Sequence, residues 1–153
     1  NPVSFPVWGY NVELSGDKAE YVKIPYNTKS YDTQIVEYEY DANTGKYLRY
    51  QFNYKAHIDG TTGDQLAFDN IIVLNVPHYA TGDSYGHRNV NTVGNGDGYY
   101  IAGGKKISIN WSKESKDGNI TFTTEDSKPL VINRGKTVIN IVENSTFNAT
   151  VIQ

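Results

Sequence analysis

QIVEYEYDANTGKYLRYQF, residues 34–52, is the stretch that decides the fold class. In an extended chain Val36, Tyr38 and Tyr40 fall on one side, with Glu37 and Glu39 on the other. Asp41-Ala42-Asn43-Thr44-Gly45 then breaks the pattern with residues that favour turns. Alternation resumes beyond it, with Leu48, Tyr50 and Phe52 on one face and Arg49 and Gln51 opposite. Side chains of a strand alternate with a period of two. Two such runs joined by a short Asn/Gly loop therefore predict an antiparallel hairpin.

The same period extends outward from this hairpin, and no stretch sustains a helical one. Asp69-Asn70 leads into Ile71–Val76, apolar on both faces, which predicts a central strand stopped by Pro77. Tyr99–Ile101 and Lys105–Trp111, joined by Ala102-Gly103-Gly104, predict a second hairpin whose core face is Ile107, Ile109 and Trp111. Asn119–Thr124 is expected to pair with Leu130–Ile132 across Glu125–Pro129, and Asn133–Lys136 to turn into a strand over Thr137–Val142. Asp64–Phe68 has room for a single helical turn, and Asn144–Gln153 is polar enough for an edge or a tail. The expectation is a mainly β fold of antiparallel sheets built from hairpins, with little helix, in a single domain over residues 1–153.

Composition narrows the class further. A chain of 153 residues buries a core without staples, and 38% hydrophobic with 13% aromatic residues is too apolar for disorder. The absence of cysteine excludes disulfides, thiolate metal sites and thiol nucleophiles together. With no methionine, Asn1 is not a translation start, so the chain is expected to be a processed product or a piece of a longer protein. Residues 1–76 carry a net charge of −4 and residues 77–153 a net charge of +1. The nearest basic clusters, Lys105-Lys106 and Lys113 with Lys116, are diluted by Glu114 and Asp117, so no nucleic acid is expected as a partner. The longest apolar run, Ile71–Leu74, falls far short of the roughly 20 residues that cross a bilayer as a helix.

Candidate chemistry is sparse. Gly94-Asn95-Gly96-Asp97-Gly98 suggests a phosphate loop, but such loops need a following helix N-terminus, and strand-like Tyr99-Tyr100-Ile101 follows instead. A Gly-rich turn, or a bulge that lets backbones approach closely, is the reading. His57-Ile58-Asp59 puts two potential metal ligands on one face of an extended chain, and His78 and His87 flank a loop holding Asp83. Asp59–Asp64 also reads as plain turn chemistry. Ser112 and Ser115 stand near lysines without matching Ser-x-x-Lys. Glu37 and Glu39 share a strand face; a glycosidase pair is defined in space, and the solvent face of a hairpin is the plainer assignment. Tyr21, Tyr26, Tyr31, Tyr38, Tyr40, Tyr47, Tyr50 and Tyr54 crowd the first third. A phenol suits protein interfaces and sugar stacking, yet half or more of these rings are expected in sheet packing.

Several segments in order resemble one family. They are Ile24-Pro25-Tyr26, Tyr47-Leu48-Arg49, His57–Leu66 and Asp69–Val73, followed by Val93–Tyr100, Gly104-Lys105, Trp111–Ser115 and Gly135–Ile139. This succession, over roughly residues 20–143, resembles the C-terminal half of the YerB-like lipoproteins, a Gram-positive family of unknown function. The resemblance implies a protein lipid-anchored on the outer face of the membrane, its lipidated cysteine and an N-terminal α/β domain lying upstream. Val138 stands where the resemblance calls for tryptophan. The family supplies no catalytic residues.

The expectation is a non-catalytic extracellular module with no cofactor or metal, binding a protein or wall polymer at the cell surface. Its site is read as the loops around His57–Asp64 and His78–Arg88 and the Gly94–Tyr100 turn, with His57, Asp59, His87, Arg88, Tyr99 and Trp111 as contacts. Two alternatives stand beside it: a wall hydrolase or metal-dependent enzyme using His57 and Asp59, and a structural domain that positions the upstream half.

Overall fold

A computed structural model describes residue 9, residues 12–26 and residues 34–153; Tyr31 of the tyrosine-rich third lies outside these. In chain order the strands are β1 (Asp17–Lys18), β2 (Tyr21–Pro25), β3 (Ile35–Asp41), β4 (Lys46–Gln51), β5 (Lys55–Ala56), β6 (Ala67–Phe68) and β7 (Asn70–Asn75). There follow β8 (His78–Ala80), β9 (Arg88–Val90), β10 (Gly94–Ala102), β11 (Lys105–Lys113), β12 (Thr121–Thr124) and β13 (Thr137–Val142). Helix α1 (Asn144–Ala149) and β14 (Val151–Ile152) close the chain. One sheet has the order β1-β11-β10-β7-β13, with β12 on β11. The other has the order β14-β2-β3-β4-β5, with β6 also on β4, while β8 and β9 pair apart as an arm. The fold is mainly β, as the alternation predicted.

The expected central strand is β7. Ile71 and Val73 enter one core with Val22, Ile24, Val36, Tyr38 and Tyr47 of the opposing sheet. Ile72 and Leu74 point the other way, into a second core with Tyr100, Ile109 and Trp111 closed over by Phe122, Leu130 and Ile132. Each aliphatic or aromatic side chain so buried contributes about 1.5–3 kcal/mol. Three buried polar groups pin these layers. Asn70 Oδ1 accepts from the Tyr100 hydroxyl at 2.8 Å, and its Nδ2 donates to the Asn133 carbonyl at 2.8 Å. Asn140 Oδ1 accepts from the hydroxyls of Tyr26 and Tyr38, at 2.8 and 3.1 Å. The Tyr47 hydroxyl donates to the Ala19 carbonyl and accepts from the Gly104 amide, at 2.9 and 3.0 Å.

The structure corrects several local expectations. β13 runs parallel to β7, from Thr137 opposite Asn70 to Val142 opposite Asn75, so the sheets are not wholly antiparallel. Asp64–Phe68 makes no helical turn: Gln65 bridges Ile58, and β6 pairs with β4. The ladder of β12 is with β11, and it meets the 128–130 segment through a Thr123–Pro129 bridge and the Leu130 amide. The tail holds an unexpected helix, kept in place by buried Phe147, before β14 adds the expected edge. On β4 it is Tyr47 and Arg49 that join Tyr40 and Tyr38, whereas Leu48 and Tyr50 lie opposite Glu39 and Glu37. Gly94–Gly98 is not a turn but the first half of β10. Its glycines serve close approach: a Cβ on Gly98 would stand 2.8 Å from the Val73 carbonyl oxygen, and one on Gly96 2.7 Å from Trp111 Nε1.

That crowding is measurable. Gly98→Ala is expected to lower stability by about 1–3 kcal/mol, because a backbone carbonyl cannot swing aside as a side chain would. Gly60→Ala, whose Cβ would meet nothing within 4 Å, is expected to stay within about 0.5 kcal/mol of the parent in urea denaturation.

Candidate functional site

The six residues expected to touch a ligand are dispersed. His57 continues β5 opposite Arg49, whose carbonyl accepts the His57 amide at 3.0 Å. The Arg49 guanidinium lies over the Tyr38 ring, 5.7 Å from its centroid, and Arg49 Nε and His57 Nδ1 are buried without a hydrogen-bond partner among the described residues. Burial, and then the charge of Arg49, lower the His57 pKa. Asp59 heads a small excursion closed by its own amide on the Asp64 carbonyl, at 2.8 Å. Its Oδ1 accepts the amides of Thr61 and Thr62 at 2.8 and 3.2 Å, which holds its carboxyl below the usual range. The Asp59 carboxylate is thus engaged in its own turn and not with His57, the partner an acid–base pair requires.

The β8–β9 arm carries His87 and Arg88. His87 Nδ1 meets Asp83 Oδ2 at 2.6 Å, which lowers the Asp83 pKa, and Arg88 is ion-paired with Glu143. The same arm exposes Tyr79, Val90 and, at 85%, Tyr85. His78 at its root is lowered by burial, partly opposed by Glu143. Tyr99 is half-buried, stacked on Phe147 at 4.7 Å and 8°. Trp111 has to be withdrawn as a ligand contact. It is 1% exposed in the second core, with Nε1 donating to the Asn75 carbonyl at 2.9 Å.

Sequence reasoning passed over a more cohesive group on the outward face of the β14-β2-β3-β4-β5 sheet. Register sets Tyr21 opposite Glu39, and Lys23 and Tyr50 on either side of Glu37. The Tyr21 hydroxyl donates to Glu37 Oε1. Burial, then hydrogen bonding to Glu37, push the Tyr21 phenol up. From the β4–β5 turn Tyr54 folds back to stack on Tyr50, with centroids 4.4 Å apart and planes 2° from parallel. Burial, then a hydrogen bond to Glu39 and the charges of Glu39 and Glu37, push the Tyr54 phenol up as well. Glu37 is only 8% exposed. Alongside lies an open cleft of about 620 Å³ lined by Lys18, Glu20, Tyr21, Glu39, Tyr40 and Gln153. The available signal was the Glu37/Glu39 alternation beside so many tyrosines; what the sequence lacked was the turn that folds Tyr54 onto it.

Two facing sheets, a parallel closing strand and a projecting arm define a mainly β domain with polar and aromatic groups on its outer surfaces. The chain belongs to the family described as protein of unknown function (DUF3048), C-terminal domain, whose profile matches residues 22–139. It is similar to the YerB protein of Bacillus subtilis, known from a crystal structure: the TM-score is 0.77 at 27% identity, over 100% of this chain and 47% of that one. The chain therefore spans about half the length of that relative, and no curated relative matches it significantly. The YerB-like resemblance read from the ordered segments is correct. At the position where that pattern calls for tryptophan, Val138 packs against the inter-sheet core.

The two lowered histidines set an acid response. The unfolded chain takes up protons at the ordinary imidazole value of 6.5, while the folded chain does so lower. Their contribution is therefore intact above that value and is lost as pH falls toward the folded values. Denaturant-measured stability is expected to begin falling as pH drops through the ordinary imidazole value of 6.5, ahead of the carboxylates. A His57→Gln/His78→Gln double variant flattens that limb; an unchanged slope would assign it to other groups.

Proposed function

We propose that this domain is a non-catalytic module of the cell envelope, held at the outer face of the membrane by an upstream lipid anchor, and that it binds a wall polymer there. The observation that carries the reading is the outward sheet face, where tyrosine rings and hydrogen-bonded glutamates stand on a fixed ladder beside an open cleft. Rigid strands hold such groups in place, so little conformational entropy is lost when a ligand engages them. The arm also exposes Tyr79 and Tyr85, the latter against His87. Support for binding over hydrolysis comes from Asp59, whose Oδ1 is engaged by Thr61 and Thr62 within its own turn.

Purified wall sacculi test this directly. The domain is expected to co-sediment saturably and to release neither reducing ends nor peptides, with or without chelator. Released fragments would replace the module with an enzyme, and failure to sediment would remove the wall polymer as its partner.

A further inference from the structure

The β4–β5 turn is the most strained part of the described backbone. Phe52, Asn53 and Tyr54 have φ values of 49°, 60° and 63°, three consecutive non-glycine residues in the left-handed region. Each such residue costs about 1–2 kcal/mol, and asparagine alone of the three tolerates it readily. Strain of this kind persists where surrounding contacts over-determine it, and it gathers at functional sites. Here the Tyr50–Tyr54 stack holds the turn, and its product is a pair of aromatic side chains at the surface, Phe52 53% and Tyr54 45% exposed.

We propose that this outward face is a carbohydrate site for an uncharged saccharide, one ring stacking on Tyr54 while its hydroxyl or amide groups donate to Glu39 and, in the adjoining cleft, to Glu20. The inference rests on the wall-polymer reading and names the part of the polymer that is recognised. A pyranose presents C–H groups on its faces, which suit the electron-rich face of an aromatic ring. Tyr54 is backed by Tyr50, so little side-chain freedom remains to be lost on binding.

The polar groups fit the same ligand. Sugar hydroxyls need acceptors, and a carboxylate that already accepts one phenol retains spare lone pairs. Glu37 accepts from Tyr21, and Glu39, half-buried opposite Tyr21 and lining the cleft, has oxygens open to a ligand. Charge selects among polymers. Three carboxylates, Glu20, Glu37 and Glu39, stand with two lysines here, so the face has no cationic surplus to hold a phosphate-rich chain. Lys18 pairs with Glu20 at 2.7 Å and Lys23 stands opposite Glu37, so the face is near balance and is not a cation trap. The cleft of about 620 Å³ shares Tyr21 and Glu39 with the platform and lies within the roughly 300–1,000 Å³ of small-ligand sites.

The test titrates soluble chitotetraose, an uncharged N-acetylglucosamine oligomer, into the domain and follows backbone amides by two-dimensional NMR, with polyphosphate as a separate arm. Saturable shifts are expected at Tyr21, Glu39 and Tyr54. Tyr54→Ala and Glu39→Gln are each expected to weaken the affinity by roughly tenfold, with Lys128→Ala, in the exposed turn beyond β12, as an unaffected control. Tyr54→Phe keeps the ring and is expected to bind more tightly than Tyr54→Ala, which supplies a reading should the alanine variant misfold. The inference is overturned by no shift with chitotetraose, by binding that survives Tyr54→Ala and Glu39→Gln, or by preferential binding of polyphosphate. Its failure is separable from that of the broader reading. Sacculi that sediment the domain while chitotetraose leaves it unmoved sink the saccharide site alone. Binding of chitotetraose without sedimentation sinks the wall-polymer assignment and leaves the site.

Discussion

β7 is buried on both faces, and the rest of the structure is arranged around satisfying that burial. A strand such as Ile71–Leu74 has no solvent side, so it requires cover above and below as well as hydrogen-bonding neighbours on both edges. β10 supplies one edge and β13 the other. The second sheet covers Ile71 and Val73, and the 120–132 segment covers Ile72 and Leu74. The parallel pairing of β13 follows from this demand. The chain leaves β7 at one end, builds the arm, β10, β11 and β12, and returns to lie alongside β7 in the same direction, since a parallel partner needs a long crossover.

Polar groups fix the layers in register. Asn70, fully buried at the entrance to β7, bonds Tyr100 on one neighbour and Thr137 at the start of the other. Asn140 receives Tyr26 and Tyr38 from the opposite sheet. An asparagine buried without such partners would be a heavy penalty, so these bonds specify one sliding position for each sheet. The tyrosines thereby gain a second role, since a phenol at the end of a ring anchors as it fills. This is why a core so rich in tyrosine forms in a chain with no methionine and five phenylalanines.

Period-two alternation carried the strand pattern, the two hairpins and the both-sided burial of β7, because side-chain direction in a strand follows directly from sequence position. It did not carry sheet order, since nothing local distinguishes Thr137–Val142 as a parallel from an antiparallel partner. At Gly94–Gly98 it offered a turn or a close approach of backbones, and only the close approach is found. Glycines signal turns when only the chain itself is considered, and here they admit the Val73 carbonyl and the Trp111 indole. Of the expected contacts, Trp111 was legible as core from its own hairpin, and its exclusion from the surface is the consequence of that reading. The Glu37 and Glu39 alternation was visible, but the back-folded turn that roofs those carboxylates depends on three left-handed residues that no local rule predicts for phenylalanine and tyrosine.

Sheet geometry divides the tyrosines into two populations with different physical duties. Tyr38 and Tyr47, on the inner face, are fully buried and hydrogen-bonded to backbone or to Asn140. Tyr21, Tyr50 and Tyr54, on the outer face, have no core to fill, and they meet carboxylates and one another instead. Core packing explains the first group completely. For the second the stabilising contacts are lateral, ring on ring and phenol on carboxylate, and the strained turn is held by the stack it makes possible. What the stack and the Tyr21–Glu37 bond do secure is position: they fix these rings and carboxylates on a rigid ladder with their remaining faces toward solvent.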